Sequence, residues 1–465
     1  MTKLDNLRRA RRAISQFHES ERIIAWVQKQ AVVVWLTPSR RRTMLFVAAI
    51  VIGLMRTFRM YAEGNRQEGS ADWLPPLMAF PLLFGLMYLL YLIAVNFRKL
   101  PSAIRRRPQI CLHLLFWTIL ALLWFVPDDG EMWREVLVLV AISLPFLIWR
   151  CGYMLMSGQR GKSQDARFRD HLFYLWPVWG GPNTPIGKGL DYLSQREAGT
   201  PESYSRSVLA AIKLMALVAL IELATLILGA TVYADPDNPL TRMIGILTFG
   251  LPHLKDIVTG RTAASRLTTW VSLYIELISD TLKMAARGHK WIAALRALGF
   301  NVFRNTYKPL LAESIVDFWS RYYYYFKELL LEFFFFPTYL RYFRQHPKLR
   351  MLVAVFAAAL VGNMYYHLLQ GGSALAAGRV VGVVMGLSPR LIYCFLLASG
   401  IYFSMLRQQR RRGKVEIAGS ATASIIKLRR IAGVWTFYAL INFWNLKTTL
   451  PIAERLRGFL WLFGL

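Results

Sequence analysis

The sequence predicts an all-α polytopic membrane protein of about ten to twelve transmembrane helices, with re-entrant helical segments between them. Three observations predict it. Of 465 residues, 55% are hydrophobic and 18% charged, where soluble domains run near 45–50% and 25%. Apolar runs long enough to cross a bilayer recur along the chain. Lysine and arginine gather in alternate connections between those runs. Intrinsic disorder is excluded, because it needs low hydrophobicity. The net charge of +30 alone suggests nucleic acid. Beside spanning runs it reads instead as topology and contact with membrane lipids, and no nucleic-acid partner is expected.

Residues 1–42 form a basic N-terminal segment, cytoplasmic or interfacial. Ten Lys/Arg there face Asp5, Glu19 and Glu21, a pattern suited to a helix on the anionic leaflet. The first apolar run, 31–36, is too short for a signal peptide core. Residues 43–465 then form one membrane-embedded domain. Spans are expected at 43–60, 76–97, 109–126 and about 136–156. Segments 1–42, 98–107 and 157–169 carry ten, five and four Lys/Arg, while 61–73 and 127–135 carry only Arg66 and Arg134. The positive-inside rule therefore puts the N-terminus in the cytoplasm.

The middle is less regular. Residues 172–181 (LFYLWPVWGG) are apolar but short and broken by Pro177, which suits a re-entrant or interfacial segment. A long span at 208–233 ends in the acidic turn 234–239, and further spans are expected at 242–258 and 267–284. Fourteen of the 26 residues from Phe318 to Phe343 are aromatic, interrupted by Arg321, Lys327, Glu328, Glu332 and Arg341. An aromatic interfacial belt and a re-entrant hairpin lining a cavity both fit; the charges and Pro337 favour the hairpin. Spans follow at 349–369 and 389–406. The basic runs 407–414 and 427–430 mark cytoplasm before a final apolar pair at 431–444 and 450–465. No internal repeat supports an inverted-repeat transporter.

Cys111, Cys151 and Cys394 lie in or beside apolar runs, with no metal spacing, and read as buried, inert thiols. No metal is implied. Nor are nucleotide-motor, serine-hydrolase or zinc-protease motifs present. Of seven histidines, His18, His289 and His346 read as solvated and His171 as interfacial. His113, His253 and His367 fall in apolar segments, where an ionisable residue is a functional candidate. Asn363 precedes His367 by four residues, on the same helical face. Two roles fit the pair: an amide fixing the tautomer of a general base, or two hydrogen-bonders to neighbouring helices.

The stretch 305–309 (NTYKP), then 314–321 (SIVDFWSR) and Pro337, resembles the signature of the membrane-bound O-acyltransferase family, in its bacterial form acting on alginate and teichoic-type polymers. Phe318, Trp319, Arg321, Glu332 and Pro337 fall in register with that family's pattern. Residues 174–182 (YLWPVWGGP) are similar to its aromatic segment ending in Ala-Gly-Pro, and Tyr366-His367 stands where it has Trp-His-Gly. The ending, 434–444 with 448–465, resembles its last two helices. The resemblance covers about 110–465. It departs from the pattern at Tyr323, where the family has His or Asn, at Tyr322 for Trp, and at Leu368 for Gly.

The resemblance implies transfer of an acyl group, acetyl or another short chain, from a cytoplasmic thioester. No bound cofactor is implied; acyl-CoA or an acyl-carrier thioester is the donor substrate. The acceptor is a hydroxyl of an envelope polysaccharide or lipid. It implies an inner-membrane, multi-pass location and a separate extracytoplasmic SGNH-type transferase or esterase as a partner. His367 would be the general base, Asn363 its orienting amide, and Tyr323 a hydrogen-bond donor to the oxyanion. Arg321 and Lys327 would hold anionic groups of the donor, although pairing with Glu328 or Glu332 suits them equally. An acyl relay to the separate transferase, a transporter or flippase, and an inactive relative are the alternatives.

Overall fold

The structure is a computed structural model describing residues 16–64, 73–126, 132–160, 167–175, 184–244, 248–411, 421–446, 448 and 450–465. It is all-α: among the described residues there is no strand, only an isolated bridge between Glu197 and Phe300. Among the described residues, five helices are long and apolar enough to cross a bilayer: Pro38–Ala62, Leu74–Val95, Pro201–Tyr233, Pro347–Leu369 and Ser388–Arg410. A sixth span arises if Met132–Leu144 and Leu147–Gln159, bent by 59° at a break holding Pro145, count as one.

Ten to twelve spans is therefore an overcount, for identifiable reasons. The run at 109–126 forms the 17-residue helix Pro108–Trp124, short of the usual spanning length. The region 242–258 folds into two short helices, Pro239–Ile244 and Leu254–Val258. Residues 267–284 belong to the 32-residue helix Arg266–Ala297, too charged to pass as a span. The final pair becomes Ala421–Asn442, whose start carries Lys427, Arg429 and Arg430, and the 10-residue Ile452–Trp461, which carries Glu454, Arg455 and Arg457. Apolar content alone does not separate a lipid-facing span from a helix buried in protein. Of the re-entrant segment at 172–181, the structure describes a helix, Phe168–Leu175; the rest lies outside the described residues, as do Gly180, Gly181 and Pro182.

The chain divides into two compact units, residues 1–214 with 291–303 and 369–383, and residues 215–290 with 304–368 and 384–465. In the first, the described part of the basic N-terminal segment, from residue 16 on, packs against the rest of the unit. Ile24, Val27 and Val33 bury against Ala198, Tyr204 and Leu209. Arg42 pairs with Glu197 at 2.6 Å, and Arg41 stacks over Tyr204 at 4.5 Å. Tyr61 donates to Glu135 at 3.0 Å beside buried Ala79, Val136 and Leu139. His171, read as interfacial, is buried at 2% exposure, and burial pulls it down to about 4.

The second unit carries the aromatic region, and its course corrects the hairpin expectation. Helix Ile315–Tyr322 breaks at Tyr323 (φ −145°, ψ 73°) and restarts as Tyr324–Leu330. A π-helical stretch, Leu331–Phe335, leads into Phe336–Arg341, with Pro337 in the first turn. The turn is thus at Tyr323, while Pro337 sits where its missing N–H costs least. The 305–309 stretch makes that break. The Asn305 carbonyl accepts from the Tyr324 N–H at 2.9 Å, and its side-chain oxygen accepts from the Tyr325 N–H at 3.2 Å. Thr306 donates its hydroxyl to the Tyr322 carbonyl at 3.0 Å. These bonds satisfy the backbone groups that two helix ends leave open. Ser314 caps the upstream helix, accepting from the Asp317 N–H at 3.2 Å.

Candidate functional site

His367 sits in the last turn of Asn363–Leu369, which continues Pro347–Phe356 through a π-helical stretch, Ala357–Gly362. Such stretches recur at functional positions, because one extra residue re-aims the side chains that follow. Glycine is needed at 362: a Cβ there would lie 2.6 Å from the Phe334 ring. The helix can approach the aromatic segment only without a side chain at that point.

The imidazole is held by Arg390, not by Asn363. Arg390 Nη1 lies 2.8 Å from His367 Nδ1, and its Nε donates to Asn445 Oδ1 at 3.1 Å. Guanidinium has no acceptor, so this contact needs a lone pair on Nδ1 and places the proton of the neutral ring on Nε2. Asn363 is 1% exposed, and its Oδ1 has no hydrogen-bond partner. Its expected orienting role therefore passes to a residue on another helix, Ser388–Arg411.

Tyr323 joins His367 through rings. Tyr323 and Phe326 have centroids 5.4 Å apart, Phe326 and Tyr366 4.7 Å, and Tyr366 and His367 5.4 Å. The two predicted positions thus share one aromatic cluster. Arg321 and Lys327 do not join it as free cations. Arg321 donates to Asp317 at 2.8 Å. Lys327 pairs with Glu328 at 3.3 Å and lies 4.8 Å over the Tyr324 ring. The paired alternative holds for Lys327 with the acid foreseen, and for Arg321 with one that was not.

Two cavities are built along Ser388–Arg411. At its start, a cavity of about 530 Å³ is lined by Lys255, Arg261, Arg390, Asn445 and Arg455, with no carboxylate among its described lining residues. Arg455 is 1% exposed; its Nη2 donates to the Leu446 and Thr448 carbonyls at 2.9 and 3.0 Å, while Nε and Nη1 have no hydrogen-bond partner. Burial pulls Arg455 below the ordinary arginine value. Nearer the other end, a cavity of about 840 Å³ is lined by Leu396, Phe403, Ile426 and Phe437, with Arg407, Arg429 and Arg430 beside Glu313.

Sequence reasoning missed Arg390, Asn445 and Arg455. One signal existed. Arginines at the end of a span remote from its basic flank break the positive-inside pattern, and such exceptions mark sites. A second polar cluster was also missed. His253 stacks on Tyr233 at 4.0 Å, with Nδ1 3.7 Å from Glu276, whose Oε2 accepts from the Tyr233 hydroxyl at 2.7 Å. The reading of His253 as a span residue falls, since it precedes a five-residue helix. His289, read as solvated, is buried at 4% exposure. Cys151 and Cys394 are buried, and Cys111 is partly exposed.

No protein-family model and no curated protein matches this chain.

Proposed function

We propose that the chain is a membrane-bound O-acyltransferase of the cell inner membrane, N-terminus cytoplasmic, with His367 as the general base. The observation that carries the reading is the His367–Arg390 pair at the edge of a basic cavity. The Arg390 contact selects the tautomer with its lone pair on Nδ1, and Nδ1 takes a proton once Arg390 turns to another acceptor. With the basic flanks 346–350 and 407–414 on the cytoplasmic side, His367 stands about 30 Å along its helix from that side, near the outer face. The larger cavity, largely apolar with Arg407, Arg429 and Arg430 in its lining, lies towards the cytoplasmic side and suits an acyl thioester donor. Arg407 and Arg429 replace Arg321 and Lys327 as the donor-binding cations in this reading.

In the reaction, an acceptor hydroxyl oxygen bonds to the thioester carbonyl carbon while its proton passes to His367 Nδ1. The Tyr323 hydroxyl donates to the developing oxyanion. The C–S bond then breaks, and the thiolate leaves with the proton returned by His367. The products are an ester and a thiol. The same two cavities fit an acyl relay to a separate extracytoplasmic SGNH-type transferase, and acylation of a small acceptor by the purified chain alone separates the two.

The test compares wild type and His367→Ala in membranes supplied with labelled acyl-CoA, at matched expression. Turnover should fall by at least about 100-fold, the low end for loss of a general base. Unchanged turnover overturns the assignment. Tyr323→Phe should lose turnover that Tyr323→His retains, since histidine can also donate to an oxyanion and phenylalanine cannot.

A further inference from the structure

We infer that the cavity beside His367 binds an oxyanion, a carboxylate or phosphate, carried by the acceptor molecule itself. The identification as acceptor rests on the acyl-transfer reading; the anion site does not. Four cations, Lys255, Arg261, Arg390 and Arg455, line the cavity, and among its described lining residues there is no carboxylate. Asp256 lies 3.6 Å from Arg261, whose side chain is exposed to solvent.

The decisive residue is Arg455. It is 1% exposed, with Nε and Nη1 unpartnered. A buried guanidinium with two nitrogens unpartnered and no counterion beside it is costly. Its third nitrogen, Nη2, already braces the Leu446 and Thr448 carbonyls and the Thr448 hydroxyl. Nε and Nη1 therefore remain for a ligand, and arginine's planar fork matches both oxyanions. Arg390 lines the same cavity and already contacts His367, so a group bound there brings its own hydroxyls to the base. The bound anion also competes with Nδ1 for Arg390 and so frees the lone pair that takes the proton. A cavity of about 530 Å³ lies within the range of small-molecule sites and accommodates one sugar unit or a glycerol phosphate.

The test is direct binding to the purified full chain in neutral detergent, without acyl donor. The probes are glucuronic acid against glucose, glycerol 3-phosphate against glycerol, and inorganic phosphate and sulfate alone. At least one organic acid should raise the Tm well beyond its neutral twin, and the shift should weaken at least tenfold in apparent affinity in Arg455→Gln. Because Arg455 also donates to the Leu446 and Thr448 carbonyls, the exposed double variant Lys255→Gln/Arg261→Gln provides a second reading and should weaken binding severalfold. Equal shifts from acid and neutral twin, or full binding in both variants, overturn the anion site. Shifts from inorganic phosphate or sulfate as large as from the organic acids overturn the acceptor identification. Selective binding by a chain that shows no acyl transfer breaks the functional reading and leaves the site standing.

Discussion

The two ends of the Ser388–Arg411 helix are both rich in arginine, yet the charges are balanced in opposite ways. Towards the Arg411 end, Glu313 sits among them: Arg430 reaches it at 3.3 Å and Lys427 at 3.7 Å. At the Arg390 end, the described lining residues include no carboxylate, Asp256 reaches Arg261 from outside the lining, and Arg455 keeps two nitrogens unpartnered. Arg430 and Lys427, with that countercharge built in, need no ligand, unlike Arg407 and Arg429 of the larger cavity, and a partly exposed pair of this kind contributes at most about 1 kcal/mol. A buried cation without one is a site that something else must complete. Charge count is the same kind of signal at both ends; compensation separates them.

The strongest way to break this comparison is kinetic. Arg390→Gln removes the group that holds His367 Nδ1, and kcat should fall by about 100-fold or more. Arg407→Gln, in the larger cavity, should raise the donor KM severalfold and leave kcat near wild type. Equal losses in kcat from the two variants would erase the distinction. A smaller effect comes from packing. Gly362→Ala pushes a methyl into the Phe334 ring, and overpacking of this sort costs about 1–3 kcal/mol. Its Tm should drop, with the acceptor KM changed and the donor KM not, because the strain falls on the helix that carries His367.

The smallest effect is on pH. Contact with Glu276 holds His253 above its ordinary value, so the charged form is favoured by folding. The stabilisation is complete below about pH 6.5 and is lost as pH rises through the raised folded value. The Tm should therefore decline slightly above pH 6.5, and His253→Gln should flatten that part of the profile. An unchanged slope would show that this pair is not the group titrating.

Parts of the site were legible in the residues. His367 stood out because an ionisable group in an apolar run is expensive and rarely idle. The 305–309 stretch and the aromatic run after Ser314 were visible as a unit, although what they build is a clamped break at Tyr323. Asn363 was misread, because i to i+4 spacing shows which side chains share a face and not which neighbour reaches them first. Arg390 is 23 residues from His367, and no local pattern links the two.

What the sequence determined by itself is the all-α class, the apolar helices fit for a bilayer, and the position of one histidine within them. Those follow from composition and periodicity, which act residue by residue along the chain. Tertiary structure decided which apolar runs are long, uninterrupted helices, which arginines have partners, and which residue holds the imidazole. Each of these depends on distances between segments far apart in sequence, and the energy of a buried charge is set by what stands next to it.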